Sequence, residues 1–241
     1  MYNVLLIFSF EDEDLADFDL MDSLLSSFVH NGQMIEYFDH PVIKENGAVY
    51  NGIIIQADSL DVGYYKENTK RFLQLLKENQ TEFEYAIVTE KPYLEAKSIA
   101  EASGLILHFG GESPLRTLDN FYNVPLYFLP PTSFDGTNYH NIIDWERNYE
   151  AISRLWFRGL DESYYYDQLT NYQSDLSREG MELCKQIHDL TKKDCYYNLF
   201  RDPNPDVKEL KNCPKCNTPW KMENELFETF KYRCDNCFLI Y

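Results

Sequence analysis

The chain has 241 residues, 44% hydrophobic and 16% aromatic, enough apolar material for a packed core and too much for a disordered chain. Its 40 acidic side chains outnumber 22 basic ones, giving a formal charge of -18 and a pI near 4.6, so the molecule as a whole repels polyphosphate and anionic lipid. No apolar run reaches the roughly 18 residues of a membrane helix, and Met1–Phe10 is followed by acids rather than preceded by bases, so a cytoplasmic protein without a secretory leader is expected.

In chain order, Tyr2–Phe10 is a near-continuous apolar run suited to a central strand. A helix over Leu15–Val29 follows, with Leu20, Leu24, Leu25 and Phe28 at helical spacing and a stop at Asn31-Gly32. Strands over Gln33–Phe38 and Gly52–Ala57 flank a turn at Glu45–Gly47. Asn68–Glu78 reads as a helix with Phe72, Leu75 and Leu76 inward, and Glu84–Thr89 as the next strand. The order β-α-β-β-α-β predicts an α+β fold with a ferredoxin-like N-terminal part, to which a helix over Tyr93–Ala102 and strands over Leu105–Phe109 and Pro125–Leu129 are appended.

Past Pro130-Pro131 the period becomes helical. Ile142, Trp145, Tyr149, Ile152 and Trp156 mark one helix before Gly159, and Leu169, Tyr172, Leu176, Leu183, Ile187 and Leu190 mark a second, longer one. Tyr196–Phe200 reads as a short strand. Asp202–Pro205 reads as a linker, because two prolines in four residues block both helix and ladder pairing. The expected domains are residues 1–131 (ferredoxin-like with appended strands), 132–201 (a helical middle packed on it) and 206–241 (a zinc ribbon).

Of six cysteines, four fall as Cys213-Pro-Lys-Cys216 and Cys234-Asp-Asn-Cys237. Each Cys-x-x-Cys turn places two thiolates on one tight loop, and two such loops complete a tetrahedron of sulfurs around Zn²⁺. Disulfides are the competing reading, which a reducing compartment disfavours. Four thiolates leave no open position for water or substrate, so the expected ion is one structural Zn²⁺. Thr218–Met222 and Leu226–Tyr232 supply short strands, with a polar turn placed at Glu223–Glu225. About 30 residues bury too little surface to fold alone, so ligation worth on the order of 10 kcal/mol would carry this end.

A wider pattern runs through Ser113-Pro-Leu115, Val124-Pro-Leu-Tyr127 with Pro130, Trp145, Tyr149, Gly180–Cys184 and Tyr196-Tyr197, and ends in the cysteine quartet with Trp220 and Tyr232. In these positions the second half of the chain resembles a bacterial family of zinc-ribbon-containing proteins of unknown function to which nucleic-acid binding is ascribed. The resemblance implies a zinc ribbon and a nucleic-acid partner. The chain departs from the pattern at Asn217, where glycine is usual; at Phe238, where a basic residue is usual; and at Arg116–Phe121, which lacks a further cysteine pair. Asn also tolerates the left-handed backbone, whereas Phe238 removes a candidate phosphate contact.

Charge separates the functional readings. Residues 208–241 carry six basic and five acidic side chains, so the rest of the chain holds -19. A tetrathiolate zinc centre adds two negative charges of its own. Lys215, Trp220, Lys221 and Arg233 are the candidate nucleic-acid contacts, with Phe230 and Tyr232 as further aromatics, although the aromatics read first as filling the small ribbon core and its contact with the main domain. Glu11, Asp12, Glu13, Asp14, Asp17, Asp19 and Asp22 put seven acids in twelve residues, more than a helix cap requires. They are the candidate surface for a basic protein partner. No phosphate loop, nucleophile elbow or histidine zinc pair occurs, and Cys184 with His188 reads as core rather than as nucleophile and base. The expectation is a non-enzymatic binding protein, of the inhibitor or immunity type that neutralises a toxin or nuclease. The alternative is nucleic-acid binding or regulation through the ribbon.

Overall fold

The first half of the chain is built on β1 (Tyr2–Phe10), whose Val4, Leu6, Phe8 and Phe10 all lie buried on one face. A computed structural model describes residues 1–11, 16–89, 98–110, 112–202 and 211–241. The described chain is mixed α+β and divides into two compact units, Met1–Ala96 with Pro125–His140, and Lys97–Val124 with Asn141–Tyr241.

In the first unit, α1 (Phe18–His30) is followed by β2 (Met34–Tyr37), β3 (Val42–Lys44), β4 (Gly47–Ile54), α2 (Glu67–Glu78) and β5 (Thr81–Ile87). The sheet is antiparallel throughout in the order β2-β4-β1-β5, with β3 also paired to β4. Both helices contribute to the core that covers β1, through Met21, Leu24, Leu25, Phe28 and Leu76. A buried polar contact ties them: the Thr69 hydroxyl lies 2.9 Å from that of Ser27 and accepts from the Asn31 amide at 2.7 Å. β2 and β3 pair with successive stretches of β4 along the same edge. The strand expected over Gly52–Ala57 thus begins five residues earlier, out of the Glu45-Asn46 turn. Helix α1 starts at Phe18 rather than Leu15, because Asp17 caps it; Leu15 itself lies outside the described residues.

Pro125–Leu129, expected as a strand, is a 3-10 turn over Leu126–Phe128. It belongs to the first unit: the Tyr127 ring lies 4.6 Å from Tyr64, its hydroxyl 3.1 Å from Ser59 Oγ, and Tyr139 N–H donates to the His30 carbonyl at 3.0 Å. The boundary expected at residue 131 therefore does not divide the chain.

The second unit contains β6 (Gly104–Leu107), β7 (Leu115–Thr117), α3 (His140–Phe157), α4 (Glu162–Thr170), α5 (Asp175–Thr191) and β8 (Asp194–Asn198). It continues into β9 (Lys221–Leu226), β10 (Phe230–Cys234) and β11 (Leu239–Ile240). These strands form one sheet in the order β7-β6-β8-β11-β10-β9, so residues 211–241 extend the main sheet of the second unit. The single helix expected over 169–190 is two. Ser174 caps α5 by accepting from Ser177 N–H, and Tyr172 lies in the break. The hairpin turn falls at Phe227-Glu228, both left-handed at φ 56, and not at Glu223–Glu225, which β9 absorbs. Residues 93–97 of the expected Tyr93–Ala102 helix and 203–205 of the Asp202–Pro205 linker lie outside the described residues; the described half of that helix is instead a single 3-10 turn, Ile99–Glu101, flanked by extended Ser98 and Ala102.

Helix α5 approaches β8 closely at Gly180. A Cβ there would lie 2.2 Å from Cε2 of the buried Tyr197 ring and 2.9 Å from Trp145 Nε1. Gly180→Ala is expected to destabilise the protein by about 1–3 kcal/mol, although alanine is favoured over glycine in a helix by about 1 kcal/mol. Urea unfolding checks this, and a stabilised variant would show that the ring can move aside.

Candidate functional site

The four clustered cysteines come from two turns of the same shape. Cys213 and Cys216 lie on the turn before β9; Cys234 ends β10 and Cys237 lies on the turn leading into β11. In each turn the second cysteine is followed by a left-handed residue, Asn217 at φ 61 and Phe238 at φ 53. Each turn is also closed by a backbone bond, Asn217 N–H to Cys213 O at 2.8 Å and Cys237 N–H to Cys234 O at 3.3 Å. The four Sγ atoms lie within 4.8 Å of one another, with Cys216 and Cys234 at 3.5 Å. A tetrahedron of metal–sulfur bonds of about 2.3 Å needs sulfurs about 3.8 Å apart, so the group can hold a metal ion.

The donors around the sulfurs favour thiolate. Burial pushes the Cys213 thiol up, but the backbone N–H groups of Cys216 and Lys215 point at it and oppose that. Cys216, at the surface, is drawn down to about 6 by the Thr218 hydroxyl and then by the Thr218 backbone N–H. Cys237 is held up by burial and by its neighbouring sulfurs. Four thiolates this close cannot all ionise against one another without a cation among them, which is the electrostatic demand of a metal site.

The nucleic-acid candidates separate. Lys215 and Lys221 are exposed, but Trp220 is only 2% exposed and is stacked on Tyr241 at 5.6 Å and packed on Tyr232 at 5.5 Å. Phe230 and Tyr232 are buried as well, so these aromatics fill the core and offer no stacking platform. Arg233 is turned to Asp235, with Nε 2.8 Å from the carboxylate, and lies over the Tyr196 ring.

The acidic candidates separate too. Asp17 accepts the Leu20 N–H at 2.9 Å as the cap of α1. Asp22 is half-buried and takes a hydrogen bond from Tyr50; burial raises its pKa, which that bond opposes. Glu11 and Asp19 are exposed, and Asp12, Glu13 and Asp14 lie outside the described residues. Acids that the sequence reading did not join to them complete the surface. One hollow of about 640 Å³ is lined by Asp17, Asp19 and Glu78, and a second of about 520 Å³, sharing Gln80, by Glu11, Glu82 and Lys77.

A buried charged cluster in the second unit was likewise not anticipated. Arg116, 4% exposed, donates to the Gly110 carbonyl at 2.6 Å and is attracted by Glu112 and Glu146. Glu112 in turn accepts from the Asn123 amide at 2.7 Å. Burial lifts the Glu146 carboxyl to about 7 against the pull of Arg116, and burial followed by the Arg116 charge holds His108 down at about 4. A lone arginine between apolar residues carries no periodic signal that would reveal this from sequence.

Residues 104–200 match the family model described as a domain of unknown function, DUF2310, and residues 206–241 match a second, DUF8594, described in the same words. Two Haemophilus influenzae relatives, each named only as an uncharacterized protein, are 30% identical to the chain over 136 and 140 residues, 55% of its length in both cases. The chain spans 51% of the length of the first and 66% of the second. No solved structure matches it.

Two predictions follow from this geometry. Because β11 is paired to β8, a chelator that strips any ion held by the quartet is expected to raise hydrogen exchange at the Tyr197 and Leu199 amides, which bond to the Phe238 and Ile240 carbonyls. Exchange rising only within 211–234 would uncouple the cluster from the sheet.

The second concerns pH. The raised pKa of Glu146 adds stability that is complete below the ordinary carboxyl value of 4.5 and is lost as pH rises through about 7. The depressed pKa of His108 adds stability that is present above 6.5 and lost as pH falls through about 4. Glu146→Gln should therefore flatten the alkaline-side loss and leave the acid-side loss intact, as read from urea midpoints across that range. An unchanged alkaline slope would exclude Glu146 as its source.

Proposed function

We propose that this chain is a zinc-stabilised, non-catalytic binding protein that engages a basic protein partner, as an inhibitor or immunity-type protein does, through the acidic end of its first unit. The carrying observation is the convergence of Glu11, Asp17, Asp19, Glu78 and Glu82 around two hollows that share Gln80, with Lys77 as the single base named among them. They come from two short stretches far apart in sequence, 11–19 and 78–82, and so form a surface that a single run of acids does not account for. Such a surface steers a cationic partner and rejects polyanions.

The zinc reading rests on the donor set. Thiolate ligands at tetrahedral spacing suit Zn²⁺, and iron is the other ion such a set takes. The ferredoxin-like reading of the first unit is supported by its sheet order β2-β4-β1-β5 and the two helices that link its strands. Six unbridged cysteines accord with a reducing, cytoplasmic setting, and no helix among the described residues is long and apolar enough to cross a membrane. Nucleic-acid binding through the ribbon is the weaker reading, since Trp220 is buried and Arg233 is paired.

Purified protein is expected to carry about one zinc per chain, lost when Cys216 is replaced by serine; elemental analysis checks this, and iron in place of zinc would overturn the assignment. For the acidic surface, the partner retained from a native lysate would be used in association kinetics. The combined variant Glu11→Gln, Asp19→Asn, Glu78→Gln, Glu82→Gln should associate about tenfold more slowly, with flatter salt dependence and an unchanged melting temperature. Wild-type association kinetics in this variant would reject the surface.

A further inference from the structure

A cavity of about 630 Å³ lies between α5 and the Cys234–Cys237 turn, and four sulfur side chains stand among its mixed, partly charged lining: Met181 and Cys184 from α5, Cys195 from β8, and Cys237. Met181 and Cys184 are three residues apart on one helix and so project from the same face. Cys184 and Cys195 are both buried, Cys184 hydrogen-bonds with Cys195, and the Leu107 backbone N–H points at Cys184. Neither thiol belongs to the metal quartet, and neither is bridged.

We propose that Cys184 and Cys195 form a second metal site, a two-coordinate bis-thiolate for a soft monovalent cation of the Cu⁺ or Ag⁺ class, with the Met181 thioether as a third, weaker ligand. Thiolate and thioether sulfur select such ions over hard ones. Zinc is not expected here, because it demands four ligands; among the described residues only the Cys213–Cys237 quartet brings three or more cysteine, histidine or carboxylate donors together. His188 also lines the cavity, but it does not join Cys184 and Cys195 in a group of three donors close enough to share one ion.

Charge also suits the smaller ion. Binding M⁺ to two thiols releases two protons and leaves a complex of charge -1, where two bare thiolates would leave -2. The Leu107 N–H is directed at the Cys184 sulfur, whose thiol burial otherwise pushes up, and Arg178, Lys185 and Lys215 line the cavity against Glu182 and Asp189, so the residual charge meets a donor and a net positive lining. The cavity itself gives the ion a route to thiols that packing would otherwise seal.

The test is an anaerobic titration of the zinc-loaded full chain with Cu⁺ against a chromophoric Cu⁺ chelator, with zinc measured in the same samples. One equivalent of Cu⁺ should be retained with no zinc released. Cys184→Ala and Cys195→Ala should each weaken retention at least 100-fold, and the volume-conserving Met181→Leu about tenfold. Retention at wild-type strength in both cysteine variants, Cu⁺ bound only as zinc leaves, or no retained Cu⁺ would each overturn the site. In wild-type protein, where no variant has to fold, one equivalent of Cu⁺ should slow alkylation of Cys184 and Cys195 and leave the four quartet cysteines unchanged; the reverse pattern overturns the proposal. Purified protein without zinc would count against the zinc reading alone, since the second site is read from the difference between wild type and the Cys184 and Cys195 variants.

Discussion

Two residues, Leu239 and Ile240, join the sheet of the second unit. They pair in parallel with β8 on one side and antiparallel with β10 on the other, so the backbone ladder from the cysteine hairpin to the main strands runs through them. Two residues of ladder cannot hold two neighbours by hydrogen bonding worth about 1 kcal/mol each. The seam is fixed at its ends. The Cys234–Cys237 turn precedes it, and Tyr241 follows, exchanging backbone bonds with Tyr232 and stacking on Trp220. The sulfur cluster is therefore more than a local clasp, because it sets where β11 lies and so where β9 and β10 attach.

The seam accounts for the fate of the ribbon aromatics. In a free-standing ribbon, Trp220, Phe230 and Tyr232 would remain half solvated; here β11 and Tyr241 cover them, and each is 2% exposed or less. Several basic side chains are paired within the chain. Arg233 pairs with Asp235, Lys231 with Glu225, Arg178 with Asp175, and Lys193 reaches the carbonyls of Ala100 and Ala102. In a chain with 22 bases against 40 acids these four cations already have partners, while Glu11, Asp19, Glu78 and Glu82 remain exposed. Net charge alone understates how negative that end of the first unit is.

What the sequence disclosed follows from which signals are local. The strand at Tyr2–Phe10 and the helix ending at Glu78 were legible because periodicity is a property of adjacent residues. The cysteine quartet was legible because ligand spacing within each turn is fixed by covalent geometry. The break between α4 and α5 was missed: Leu169 and Leu176 keep helical register across it, and only the Ser174 cap distinguishes two helices from one. Leu126–Phe128 has the composition of a strand, yet Tyr127 is held by Tyr64 and Ser59 from some sixty residues earlier, which no local pattern records. The Arg116 cluster and the Cys184–Cys195 contact stayed hidden for the same reason, since each joins residues whose separation carries no period.

Phe238 shows how the two turns came to differ. Both need a left-handed residue after the second cysteine, which Asn217 accepts at little cost, while a bulky aromatic there costs about 1–2 kcal/mol. The Phe238 ring is packed against His188 at 5.8 Å and Tyr196 at 5.7 Å, and its carbonyl accepts the Tyr197 N–H at 2.8 Å. Burial of an aromatic ring is worth about as much as the strain, so the position is tolerable only where the turn faces the protein. Asn217 is exposed and its turn faces solvent. The first turn thus stays open to solvent, while the second is the joint through which the cluster meets β8 and α5.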